Sequence, residues 1–137
     1  MTPRERIRGK LAKCEPYYQM LVELRGELSK PVPDKVTWFA AERNLHLALE
    51  CAIDVGEMLI SMHRLRLAED NKDVFRILGE AVLLEAGLAH RMAQAAGMRN
   101  ALVHLYADLD REKVRKAFLH DVKDLKAFAE AVLDLVK

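Results

Sequence analysis

Glycine and proline are scarce in this chain, six and four residues of 137, and no Asn-Gly or Asp-Gly pair is present to close a two-residue hairpin. Apolar and polar residues alternate over no long stretch, so strands do not dominate the fold. Charge of one sign is lacking as well. The 22 Lys and Arg against 21 Asp and Glu leave a formal net charge of +1, which gives no global field to gather polyanions and confines any nucleic-acid site to a local patch. No run of 18 apolar residues occurs, and Met1-Thr2-Pro3-Arg4-Glu5-Arg6 carries charge instead of an apolar leader, so neither a membrane span nor a secretory signal is expected. Cysteine is limited to Cys14 and Cys51, both in apolar helical patterns without CxxC spacing; they read as buried reduced thiols of a cytoplasmic protein. His46, His63, His90 and His120 form no metal-ligand spacing, and no Glu-x-x-His pair is found, so neither a metal nor a cofactor is expected.

What is abundant is helical periodicity in a chain that is 51% hydrophobic, enough for one domain with a core over residues 1–137. Thr2 and Pro3 suit the cap and first position of a helix from about residue 4 to 29, with Ile7, Leu11, Cys14, Tyr18, Leu21, Leu24 and Leu28 on one face and a kink expected at Pro16. Asp34 caps a second helix to about residue 65, striped by Trp38, Leu45, Leu49, Ala52, Ile53 and Ile60. A loop at residues 69–73, a short helix, a break near Gly87 and a further helix fading at Gly97 follow. From Asp110 the last helix carries Val114, Phe118, Val122, Leu125, Ala129, Val132 and Val136. Four principal helices with short connections predict an all-α, antiparallel four-helix-type bundle.

Arg99-Asn100-Ala101-Leu102-Val103-His104-Leu105-Tyr106 places a cation, an amide, an imidazole and a phenol within two turns. Arg99 can hold a phosphate with a planar fork of donors, and His104 can exchange a proton near neutral pH. Together they are the minimal equipment for metal-independent RNA cleavage, which needs a 2′-hydroxyl deprotonated, an anionic phosphorane stabilised and a leaving oxygen protonated. Asn100 and Tyr106 supply orienting hydrogen bonds. One motif histidine is fewer than an acid and base pair, so a symmetric dimer bringing two motifs into one cleft is expected. Gly97 just upstream also allows the motif to begin at a helix start, where free amides favour a phosphate. Asp54, inside an apolar stretch of the second helix, either orients Arg99 or His104 or faces solvent; Glu42 and Arg43 read as inter-helix ion pairs.

The octapeptide resembles the R-x4-6-H signature of HEPN-domain ribonucleases, and its RNxxVHxY spelling is similar to the HepT toxin branch. Ala41-Glu42-Arg43-Asn44-Leu45 and Ala52-Ile53-Asp54-Val55 resemble elements of that family's second helix. The resemblance implies that Arg99 and His104 are the catalytic pair, supported by Asn100. It also implies an endoribonuclease toxin of a type II toxin-antitoxin module, whose partner is a minimal nucleotidyltransferase (MNT) antitoxin that transfers AMP onto the motif tyrosine, here Tyr106. A negative nucleotide there would exclude RNA sterically and by repulsion. The alternative is a non-catalytic helical module that docks a nucleotidyltransferase.

Overall fold

A computed structural model describes residues 1–104 and 111–137, with only the backbone at His104. Every element among them is helical: α1 (Pro3–Leu28), α2 (Lys35–Met62), α3 (Asn71–Glu80), α4 (Ala86–His104), α5 (Arg111–Lys116), a π-helical turn (Ala117–Asp121) and α6 (Val122–Leu135). None of the helices is long and apolar enough to cross a membrane.

The helix starts follow from short polar side chains that satisfy otherwise orphaned amides. Thr2 accepts from the Glu5 amide at 3.1 Å while Glu5 accepts from the Thr2 amide at 3.4 Å, a reciprocal capping box with Pro3 in the first helical position. Asp34 accepts from the Thr37 amide at 3.0 Å, and Asp70 accepts from the Asp73 amide at 2.8 Å. The loop expected at residues 69–73 is therefore shorter, because Asp70 already starts α3. Glu85 accepts from the amides of Gly87 and Leu88, so Gly87 lies in the first turn of α4 and the break precedes it.

Two helix ends are made without glycine. Arg64 and Val82 adopt φ of 54° and 60°, and the amides that follow return to earlier carbonyls, Leu65 to Ile60 and Leu83 to Leu78, both at 3.0 Å. This is the Schellman arrangement, in which the left-handed residue turns the chain sharply out of the helix. α1 continues through Pro16, and α4 continues through Gly97.

Packing is that of an antiparallel bundle centred on α2, which touches α1, α3, α4 and α6. α1 and α2 form one hairpin, and α3 and α4 form another. At the α2–α3 crossing Gly56 is required, since a Cβ there would lie 2.4 Å from a methyl of the buried Val74. Edge-to-face pairs bind distant parts of the core: Trp38 with Phe118 at 5.0 Å and Phe75 with Phe128 at 5.6 Å. Arg115 stacks near Trp38 and donates to the carbonyls of Leu28 and Lys30, closing the end of α1.

The cysteines are not reduced thiols. The α1–α2 hairpin sets Cys14 and Cys51 face to face, Cα atoms 5.8 Å apart, and their sulfurs are bonded. That separation lies in the range a disulfide spans without moving the backbone. They stand 37 positions apart in the sequence, with no local signature of the pairing.

Candidate active site

The motif sits at the far end of α4, not at a helix start. Gly97 is interior to the helix, and Arg99 and Asn100 follow it within the same element, so their amides belong to the helical ladder and are not offered to a phosphate. Gly97 has a different local reason. A Cβ there would stand 2.9 Å from Cε of Lys72, whose side chain crosses α4 at this bare position.

Met92, Ala95, Ala96 and Leu102 mark the buried side of α4, and Arg99 stands one turn after Ala95 at the border of that side. Its guanidinium therefore leans onto α2 instead of extending into water. Nε donates to Glu50 Oε1 at 3.0 Å, Nη2 makes a close contact with the same oxygen, and Nη1 donates to Asn100 Oδ1 at 3.1 Å. The arginine side chain is 26% exposed and Glu50 38%, so the pair lies at the surface but is not fully solvated. Hydrogen bonding from Arg99 holds the Glu50 carboxyl below its ordinary range, against the opposing effect of burial.

The network continues along α2. His46 Nε2 is 3.7 Å from Glu50 Oε1, four residues away on the same face, and His46 Nδ1 is 3.2 Å from Nη1 of Arg43. A guanidinium has donors only, so Nδ1 must accept; in the neutral ring the proton then sits on Nε2 and points toward Glu50. Arg43, His46, Glu50, Arg99 and Asn100 thus form one chain of polar contacts from the second helix to the motif.

Asp54 stands elsewhere. It lies one turn beyond Glu50 and pairs with Lys10 of α1 at 3.3 Å, half exposed. Among the described residues the acid that meets the motif arginine is Glu50, which the residue pattern did not single out. Glu42 accepts from the Trp38 indole, within α2. His104 ends α4, but its side chain lies outside the described residues, as do Tyr106 and the Asp110 expected to cap the last helix.

With five donors on a flat cation, three engaged by Glu50 and Asn100, Arg99 is a fixed planar charge at a helix end. The two donors left over are able to meet a tetrahedral oxyanion without reorganising. Among the described residues no cluster of three or more His, Cys, Asp or Glu is arranged for a metal ion.

A profile of the family described as Ribonuclease HepT-like matches residues 12–132. The chain is 36% identical over 73 residues to the tRNA nuclease HepT of Aphanizomenon flos-aquae, a match covering 53% of this chain and half of that protein. It is 22% identical over 126 residues to the mRNA nuclease HepT of Shewanella oneidensis, covering 92% and 95%. The fold superposes with a TM-score of 0.83 on a tri-AMPylated HEPN toxin of Shewanella oneidensis in complex with an MNT antitoxin, at 22% identity over 96% of this chain and 98% of that one.

Proposed function

The chain belongs to the HepT-like ribonuclease family, and from that premise we propose that it is a metal-independent endoribonuclease toxin held in check by a nucleotidyltransferase antitoxin. The observation that carries this is Arg99, anchored by Glu50 five residues before His104 in an intact RNxxVHxY motif. Relatives named as tRNA and mRNA nucleases support the reaction class, and a structure named as an AMPylated toxin with its MNT antitoxin supports the partner.

The chemistry assigns a role to each group. A motif imidazole removes the proton of a ribose 2′-hydroxyl, whose oxygen attacks the adjacent phosphorus. Arg99 stabilises the dianionic phosphorane, with Asn100 fixing the guanidinium plane. The bond to the 5′ oxygen breaks, a second imidazole returns a proton to it, and a 2′,3′-cyclic phosphate remains. Two imidazoles imply a homodimer of this one-domain chain with two motifs facing one cleft. Tyr106 is the acceptor of AMP, and Asp54 acts at most by supporting α2 beside Glu50. The working compartment is the cytoplasm, where its RNA is found; that placement rests on the substrate, since Cys14 and Cys51 are bonded.

The test is cleavage of RNA by the purified protein, alongside growth arrest on expression. His104→Ala and Arg99→Ala are expected to lose both while keeping helicity and association state. Continued killing by His104→Ala, or intact RNA after prolonged incubation with the unmodified wild type, overturns the ribonuclease and leaves a docking module. Intact mass after co-expression with the antitoxin reads the regulation: an AMP increment is expected, absent from Tyr106→Phe.

A further inference from the structure

α4 has a second polar side that the Arg99 network does not use. Met98 points about 100° around the helix from Arg99 and lines an open groove of about 680 Å³ between α4, α5 and the π-helical turn. Lys72 enters this groove from α3, Arg91 from α4, and Lys113 and Lys116 from α5. An adjoining groove of about 520 Å³ on the α3 side shares Lys72 and adds Arg76. Asp121 and Asp124 also line the first groove and Glu80 the second, so five cations face three carboxylates across the two, an excess of two in a chain whose whole net charge is +1.

Their pairing is uneven. Arg91 is held by Asp124 at 3.0 Å, whereas Lys72, Lys113 and Lys116 have no ion-pair partner among the described residues. Lys72 lies across α4 at Gly97, where the helix offers no side chain to displace it. Lysine ammonium groups are point charges that hold phosphates without reading a base.

We propose that this groove is a track for the sugar-phosphate backbone of single-stranded RNA, leading nucleotides that flank the scissile bond past Met98 to Arg99. The ligand assignment rests on the ribonuclease proposal. An acidic protein partner fits less well, because none of the exposed large apolar side chains, Val32, Val36 and Phe39 among them, lines the groove to act as an anchor. Met98 and His120, both in the lining, instead offer flat or soft surfaces against which a base can lie.

The experiment measures anisotropy of a labelled single-stranded RNA oligonucleotide in the His104→Ala background, where nothing is cut. Lys72→Gln, Lys113→Gln and Lys116→Gln are each expected to weaken binding about fivefold at 0.1 M salt, and to flatten the slope of log K against log salt by about 0.7. Gly97→Ala favours the helix but pushes Lys72 aside, so it is expected to weaken RNA binding without lowering the melting temperature. Lys13→Gln, on the exposed side of α1, leaves affinity unchanged. Equal affinity and slope in the triple lysine variant overturn the proposal. So does a triple variant that keeps RNA affinity but no longer co-purifies with the nucleotidyltransferase, which would make the groove a protein site. Failure of the ribonuclease reading looks different: wild type that never cuts RNA, while the lysine variants still lose RNA binding.

Discussion

Arg99 gains its precision from Glu50, and that dependence is measurable. A guanidinium on a helix end samples many rotamers unless an acceptor fixes its plane. In Glu50→Gln the anchor keeps its shape but loses its charge, so the arginine is freer at the moment the proposed phosphorane forms. Cleavage is expected to fall by roughly ten- to a hundredfold, chiefly in kcat. Folding stability should change by less than about 1 kcal/mol, since the pair is partly exposed. Equal activity in Glu50→Gln would show that Arg99 positions itself. The motif made Arg99 visible in the sequence, but Glu50 sits 49 residues upstream in an unremarkable helical stretch. Only its place four residues after His46, on the side of α2 that meets α4, marks it. Asp54 is conspicuous in the sequence as a charge among apolar residues, yet that carries no information about which neighbour arrives; Lys10 does.

The cysteine pair poses the same problem of distance. A bond closing 37 residues removes unfolded-state freedom worth about 3–4 kcal/mol in the chain-entropy account. Denatured protein is expected to take up no thiol reagent until it is reduced, and reduction is expected to lower the denaturation midpoint by a corresponding amount. Two thiols labelled in the denatured, unreduced protein would show the bond to be absent in solution.

Elements were legible where a local signal sets them and obscure where packing does. Thr2-Pro3 and Asp34 announce helix starts through capping that any sequence window contains. Arg64 and Val82 do not announce helix ends, because neither is the glycine that usually takes a positive φ. The last segment was legible as an apolar stripe, and all seven stripe positions are buried. Its π-helical turn has a cause in the same stripe: Val114, Phe118 and Val122 are spaced four and four, which drifts about 80° on an ideal helix. The wider turn at Ala117–Asp121 takes up the drift and keeps Val122 on the core. Arg25 donates to the Leu119 carbonyl in that turn at 2.8 Å.

The same turn buries a carboxylate. Burial, reinforced by Asp124, pushes Asp121 up to about 6. Its folded value lies above the unfolded one, so the group costs nothing below about pH 4, where both states are protonated. Stability is then lost as pH rises through 4 to 6 and the folded protein must ionise it, by at most about 3 kcal/mol at neutral pH. Asp121→Asn is expected to raise the melting temperature at pH 7.5 and to match wild type at pH 4. A gain at both pH values would mean that side-chain shape, not charge, sets the effect.

At the scale of the whole molecule the chain supplies one motif, and the proposed reaction asks for two proton-transfer groups. The other described histidines do not fill the gap: His46 is tied to Arg43 and Glu50, His63 caps the end of α2 in an exposed position, and His90 and His120 line the grooves on the other sides of α4. A twofold assembly is the economical solution, with a mass in sedimentation equilibrium twice the 15.6 kDa of one chain. Mass alone does not say whether the two motifs share a cleft, but subunit mixing does. When equal amounts of wild type and His104→Ala are allowed to exchange, random pairing makes roughly a quarter of the dimers fully wild type. If each cut needs both imidazoles, activity falls to about that quarter and follows the square of the wild-type fraction across a titration. If each chain cuts alone, activity falls only to about half and follows the fraction linearly. The quadratic result is expected, since a single imidazole would have to take one proton and deliver another to an atom on the opposite side of the phosphorus within one in-line displacement.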